Sequence, residues 1–328
     1  MLYRNILSQA LKITWQNKYL WFFGLFATLL GSGGGYDILF KSLNNETDNG
    51  ILGFKKFAET GIFSLTALKN IGRLAIEEPL SFLMIVVVGL VIIGLFCFLV
   101  WLAIVSQAGL VDNSAKLIAE KKNKDLGIQS GVNIGIKNFW PVFSLNFLAK
   151  AIVFLVFAIL GFIIFMSSGQ FNAALSGLLY LAVFIVSVPT SIVFLFIVKY
   201  AVAYVVVRGS SFSESIQQGW GLFKKNWLIS IEMAFILFFI NLVVGFAVAL
   251  AILVLAVPFL FLALILYKAI SLIGFWFIAI LAVVLFLAII ILSGAFLASF
   301  QIASWTGLFL QLIGKGGVSK IERIASRK

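Results

Sequence analysis

From residue 227 to residue 300 the chain carries only two charges, Glu232 and Lys268, in an otherwise almost wholly apolar run. Such a run is either buried in protein or immersed in lipid, and in lipid the backbone must satisfy its own hydrogen bonds as helix. Composition chooses lipid. The 328 residues are 62% hydrophobic and 11% charged, against about 45–50% and about 25% in soluble domains, and the mean hydropathy is +1.15. The sequence therefore predicts an all-α integral membrane protein.

Further apolar runs cover 19–30, 79–107, 140–166 and 175–207. Pro79 suits a helix start, where its missing N–H is not needed, and Pro189 predicts a kink inside its span. The run 227–300 accommodates two long spans with a turn near 258–271, or three spans of about 20 residues each. Charge favours two. Six spans in all put the basic tail (Lys315, Lys320, Arg323, Arg327, Lys328) on the side of the N-terminus, together with most of the 24 basic residues. The positive-inside rule then makes both termini cytoplasmic. The basic start, short apolar run and Gly31–Gly35 also have the form of a cleavable signal, but the long amphipathic leader suits an uncleaved first span. Residues 36–78 form the one long polar connection, with Phe54, Phe57, Ala58, Ile62 and Leu65 at helical spacing. Residues 112–138 read as a polar return in which Asp112, Glu120 and Asp125 sit among lysines on a solvated surface.

The most organised stretch is 211–227, SFSESIQQGWGLFKKNW. Phe212, Ile216, Trp220, Phe223 and Trp227 make one apolar stripe on a helix, with polar residues on the other face. Ser211 and Glu214 have the spacing of a capping box. Looser copies occur at 2–17, with Leu7, Leu11 and Trp15, and at 128–139, with Ile128, Val132, Ile136 and Phe139. Each ends in a hinge of two bulky residues four apart around Lys and Asn: 15–19, 136–140 and 223–227. The expected architecture is six transmembrane helices as three hairpin units (about 1–111, 112–207 and 208–310, with the tail 311–328). Each is preceded by an inner interfacial amphipathic helix. Trp15, Tyr19, Trp140, Trp220 and Trp227 are expected at the headgroup level, with the hinge Lys and Asn reaching the headgroups.

Ionisable groups inside a span cost roughly 2.5–3.5 kcal/mol on insertion scales, so each needs a reason. Lys150, Lys199 and Glu232 are such groups. With Asn146 and Asn241, and with Gln107 and Gln301 in reach, they compose a candidate intramembrane polar cluster in which Lys199 and Glu232 are placed to pair. Either the lysines snorkel to headgroups while Glu232 bonds a neighbouring helix, or the cluster lines a cavity where a lysine holds an anionic headgroup or substrate. Histidine is absent and Cys97 is the single cysteine, which removes His-based metal sites, His acid–base catalysis and a disulfide framework. No catalytic residue, metal or cofactor is expected; Ser144 and Lys150 are near each other in sequence and nothing more. Gly31–Gly35 lacks the strand and helix around a phosphate loop. The basic residues are dispersed, so the expected partners are membrane lipids or another membrane protein, not nucleic acid.

Three segments in succession, VKYAVAYVVV (198–207), SESIQQGW (213–220) and LFKKNW (222–227), resemble the hydrophobic membrane domain attached to some bacterial glycerophosphodiester phosphodiesterases and its stand-alone relatives of unassigned function. The likeness is best over 190–240. It implies a membrane domain in a bacterial plasma membrane. In such fusions catalysis belongs to a soluble barrel domain, for which no polar stretch here is long enough, so the resemblance implies no phosphodiesterase activity. The expected function is non-enzymatic, organising lipid or a protein partner in the cell envelope. The alternative is a transporter or lipid-handling protein that uses the Lys/Glu cluster.

Overall fold

The computed structural model describes residues 2–28, 76–119, 126–167, 173–269, 272–314 and 316. The polar connection before residue 76, Glu120, Asp125, residues 168–172 and the basic residues of the tail lie outside them. Contacts divide the chain into two compact units, Gly35–Leu102 and Met1–Gly34 with Ala103–Lys328.

All regular structure among the described residues is helical. In chain order the helices are α1 (Leu2–Gln16), α2 (Tyr19–Ala27), α3 (Pro79–Ile118), α4 (Ile128–Lys137), α5 (Phe139–Ser167), α6 (Ala173–Ala203), α7 (Phe212–Lys225), α8 (Trp227–Ala269) and α9 (Leu272–Gly314). Among the described residues five helices, namely α3, α5, α6, α8 and α9, are long and apolar enough to cross a membrane. The chain is thus a multi-pass membrane protein by length and composition. The expected first span, 19–30, is described only as the nine residues of α2.

The run 227–300 falls into two helices, not three. At 1.5 Å per residue, the 43 residues of α8 and of α9 each extend about 65 Å, roughly twice a hydrocarbon core of about 30 Å. Pro189 and Pro258 lie within continuous α6 and α8. α6 closes in a π-helical turn, Tyr204–Arg208, which the sequence did not signal. It stops at Gly209, whose φ of 70° is the left-handed conformation that glycine tolerates, and the Gly209 N–H donates to the Val205 carbonyl at 3.0 Å.

The expected polar return is corrected at its start. α3 continues through Gln107 to Ile118, and Asp112, Asn113 and Ser114 are buried rather than solvated. For Asp112 and Asn113 the burial is tolerated because the charge and the amide have partners, while the Ser114 hydroxyl is buried without one among the described residues. Lys116 pairs with Asp112 at 2.7 Å, and Asn113 bonds both the carbonyl and the N–H of Gly127.

In the larger unit the core gathers on the C-terminal parts of α3, α6 and α9, against which the short helices lie. Its buried residues run almost without break over 103–115 and 298–309. The short helices seat through small residues. A Cβ added at Gly109 of α3 would lie 2.6 Å from the carbonyl oxygen of Gly131 on α4, and one at Gly135 would collide with the Val105 carbonyl. On α7, a Cβ at Gly219 would lie 3.0 Å from the Ile197 carbonyl of α6. On α1, buried Ile6, Ala10 and Thr14 form the corresponding row, and Gly307 of α9 faces Ile6. Small residues four apart let two backbones approach closely. Further along, Gly24 of α2 meets Ser299 and the Ala295 carbonyl of α9, and the Ser299 hydroxyl donates to the Leu20 carbonyl at 2.8 Å.

This seating sets which face of each amphipathic helix is covered. The buried rows are Ile6, Ala10 and Thr14, then Gly131 and Gly135, then Ser215, Gly219 and Phe223. The bulky row begins one residue later and faces outward: Leu11 is 49% exposed, Trp15 64%, Ile136 50% and Trp220 48%. Beyond it lie exposed Ser8 and Lys12, Asn133 and Lys137, and Gln217.

Close backbone contact makes the α3–α4 crossing sensitive to a single methyl group. Gly109→Ala should destabilise the protein by about 1–3 kcal/mol. Gly221→Ala, where a Cβ meets nothing within 4 Å, should be neutral or stabilising by up to about 1 kcal/mol. Thermal unfolding of both variants in detergent checks the contrast.

Candidate functional site: a cavity where three helices converge

Each amphipathic helix ends at an asparagine, and the three asparagines do the same thing. The Asn17 side chain donates to the Ile13 carbonyl at 2.9 Å, Asn138 to Ile134 at 3.0 Å and Asn226 to Leu222 at 3.0 Å. Their backbone N–H groups donate to those same carbonyls. Their own carbonyls then accept from the next helix, from Leu20, Val142 and Ser230 at 3.0–3.1 Å. Asn138 and Asn226 have φ, ψ of −101°, 14° and −129°, 32°, the sparsely allowed bridge region. One residue type therefore closes a helix end whose carbonyls lack partners and opens the next helix at a new angle. The expectation that the hinge asparagines reach headgroups is corrected: they turn back on the backbone. The capping box is also not formed. Ser211 is the N-cap without a side-chain bond, and Glu214 instead accepts from Gln218 at 2.7 Å.

The hinge aromatics remain largely outside. Trp140 is 72% exposed beside Phe139 and Phe143, and Trp227 is exposed at the head of α8. Trp15 joins Trp21 and Phe296 in an edge-to-face cluster, which the Trp21 indole anchors by donating to the Thr14 carbonyl at 2.9 Å. Tyr19 is partly buried.

Where the C-terminal parts of α3, α6 and α9 meet, they form a partly open cavity of about 30 Å³ lined by Gln107, Lys199, Tyr200, Trp305 and Thr306 among aliphatic side chains. Each wall has a local cause. Lys199 comes from α6, and its ammonium lies 4.5 Å from the centre of the Trp305 ring, a cation–π contact strengthened by desolvation. Tyr200 shares a 2.6 Å hydrogen bond with Ser230 of α8. Thr306 returns its hydroxyl to the Ile302 carbonyl at 2.8 Å, the usual way a helix absorbs a buried hydroxyl. The Gln107 carbonyl accepts from Asn146 of α5 at 2.8 Å.

The five expected cluster residues take the following places. Lys199 lines the cavity and Asn146 reaches it through Gln107. Glu232 on α8 accepts from the Tyr3 hydroxyl of α1, and Lys199 lies over the Trp305 ring. Lys150 is exposed on α5, and Asn241 is partly exposed on α8, nine residues beyond Glu232. Trp305, Thr306 and Tyr200 were not anticipated. The signal for Trp305 and Thr306 is the run Ala303-Ser-Trp-Thr-Gly307, small and polar at the end of a helix otherwise rich in large aliphatics.

The cavity also connects outward. Trp305 packs against Phe196 at 5.5 Å, Phe196 stacks on Phe223 of α7 at 5.5 Å, and Phe223 neighbours the exposed Trp220 at 6.2 Å. A continuous aromatic row thus joins the surface helix to the lysine.

No family model matches the chain, and no curated protein or solved structure is similar to it.

Removing the Asn146 amide should strand the buried Gln107 carbonyl. Asn146→Leu is expected to lose about 1–3 kcal/mol, whereas Asn241→Leu should change stability by less than about 0.5 kcal/mol. Unfolding midpoints in detergent measure both.

Proposed function

We propose that the protein is a non-enzymatic multi-pass membrane protein that organises anionic lipid at the cytoplasmic face of a bacterial plasma membrane. One observation carries this reading: three short helices each bury a row that includes small residues, hold Leu, Ile or Trp outward beside it, and carry exposed lysine near that outward row. Lys12 and Lys137 are exposed beside those apolar rows, and Lys224 and Lys225 close α7. A helix edge at the meeting of protein, acyl chain and water suits Trp at the headgroup level, with Lys against anionic lipid.

On this reading α2 belongs to a sixth span over 19–30. Three hairpin units then share one interface, and both termini are cytoplasmic. The likeness of 190–240 to a phosphodiesterase-associated membrane domain supports a membrane-embedded role without the phosphodiesterase reaction.

Transport or lipid handling through a Lys/Glu pair is the other reading, and the Lys199 cavity favours it. Its volume of about 30 Å³ is room for roughly two waters on a scale where one needs about 10–15 Å³. That is far less than a drug-sized ligand pocket of roughly 300–1,000 Å³, so organisation of lipid outside the helices is preferred.

Lipid analysis of protein extracted from its membrane in polymer nanodiscs tests the proposal. Anionic phospholipid should be enriched over bulk, and the combined Lys12→Gln, Lys137→Gln, Lys224→Gln and Lys225→Gln variant should lose most of that enrichment. Bulk composition around the wild type, together with a second protein in fixed ratio, would replace lipid with a protein partner.

A further inference from the structure

The cavity at Lys199 has a chemistry of its own. Among the described residues no carboxylate lines it. The nearest acidic side chain along α3, Asp112, is engaged with Lys116, and Glu232 accepts from Tyr3. The polar oxygens around the space already have partners: Tyr200 with Ser230, Thr306 with Ile302, and the Gln107 carbonyl with Asn146. Tyr200 and Thr306 donate their only protons in those bonds and keep acceptor lone pairs, so the donors left for the space come from Lys199 and Gln107. The lysine ammonium has three N–H groups, and Gln107, with its carbonyl turned to Asn146, offers its amide N–H pair. The Trp305 face lowers the cost of the charge but accepts no conventional hydrogen bond. A positive charge inside a helix bundle, with no carboxylate among the described lining residues and only neutral oxygens to accept from it, would be neutralised by an anion.

We infer that this cavity binds one compact anionic group, a halide or a single charged oxygen of a phosphate, between the Lys199 ammonium and the Gln107 amide. The space admits an ion of about one or two water volumes, and it excludes a whole phospholipid headgroup, of which only a projecting oxygen could enter. This site is separate from the outward rows on α1, α4 and α7, so it does not rest on the lipid-organising reading.

The test uses the full chain, purified in mild detergent, stripped of lipid and held in gluconate, an anion too bulky for the space. Replacing gluconate with chloride at constant ionic strength should raise the unfolding midpoint by roughly 3 °C. A rise with chloride identifies a dissolved ion; a rise only with added phosphatidylglycerol identifies a headgroup oxygen; either supports the site. Lys199→Met should abolish the response. Gln107→Glu places a carboxylate beside the ammonium. It should raise the midpoint in gluconate and remove the dependence on added anion, which keeps the test valid if Lys199→Met fails to fold. A midpoint that neither chloride nor phosphatidylglycerol moves overturns the inference. So does an undiminished response in either variant.

Discussion

Close approach between backbones organises this molecule. Where Gly131 and Gly135 of α4 meet Gly109 and Val105 of α3, nothing larger than hydrogen fits between the chains. In a membrane such packing does the work that apolar burial does in water, because lipid tails are as apolar as the side chains they would replace. The other amphipathic helices repeat the solution with Gly219 of α7 against the Ile197 carbonyl of α6 and with Gly307 of α9 against Ile6 of α1. The pattern of seating is cyclic. α4 lies on α3 and α7 on α6, each on the long helix that precedes it in the chain, while α1 lies on α9, the last long helix. A row of small residues on one side of a helix forces the bulky row to the adjacent side, so Trp15, Ile136 and Trp220 face outward as a consequence of the packing.

The asparagine breaks complete this geometry. A continuous helix from α7 into α8 would carry the amphipathic segment straight on, away from α6. Asn226 prevents that while leaving few backbone groups unpaired, since its side chain and N–H close one helix and its carbonyl begins the next. Asn17 and Asn138 do the same. The three convergent ends then bring Gln107, Lys199 and Thr306 to one place, and the aromatic row from Trp220 through Phe223 and Phe196 to Trp305 ties that place to the surface.

Much of this was legible in the sequence. Apolar length gave the helix of 139–167 to within a residue and that of 173–203 to within a few, while for 227–300 charge only favoured two spans over three, and two helices are described there. The amphipathic segments were found by period. Their buried faces were found only in part, at Phe223, because a period of about 3.6 locates a stripe of large side chains and is silent about the glycine, alanine and serine that share the contact. The 112–114 segment read as solvated because Asp-Asn-Ser is polar; its burial depends on Lys116 and on the backbone of Gly127, and side-chain pairing of that kind leaves no periodic trace. Asn146 and Gln107 were in reach of each other on paper and do meet. The cavity wall of Trp305 and Thr306 comes from the convergence of three helices distant in sequence, which only the fold supplies.

The central claim is that three copies of one device, a small-residue seat with an outward aromatic row, lie at a single membrane interface. Side-selective labelling tests it most directly. In a Cys97→Ala background, Ser8→Cys, Asn133→Cys and Gln217→Cys each place a thiol on the exposed polar row of α1, α4 or α7. An impermeant maleimide applied to sealed vesicles of known orientation should reach all three from the cytoplasmic side and none from the other. Labelling of any one from the opposite side would contradict the account.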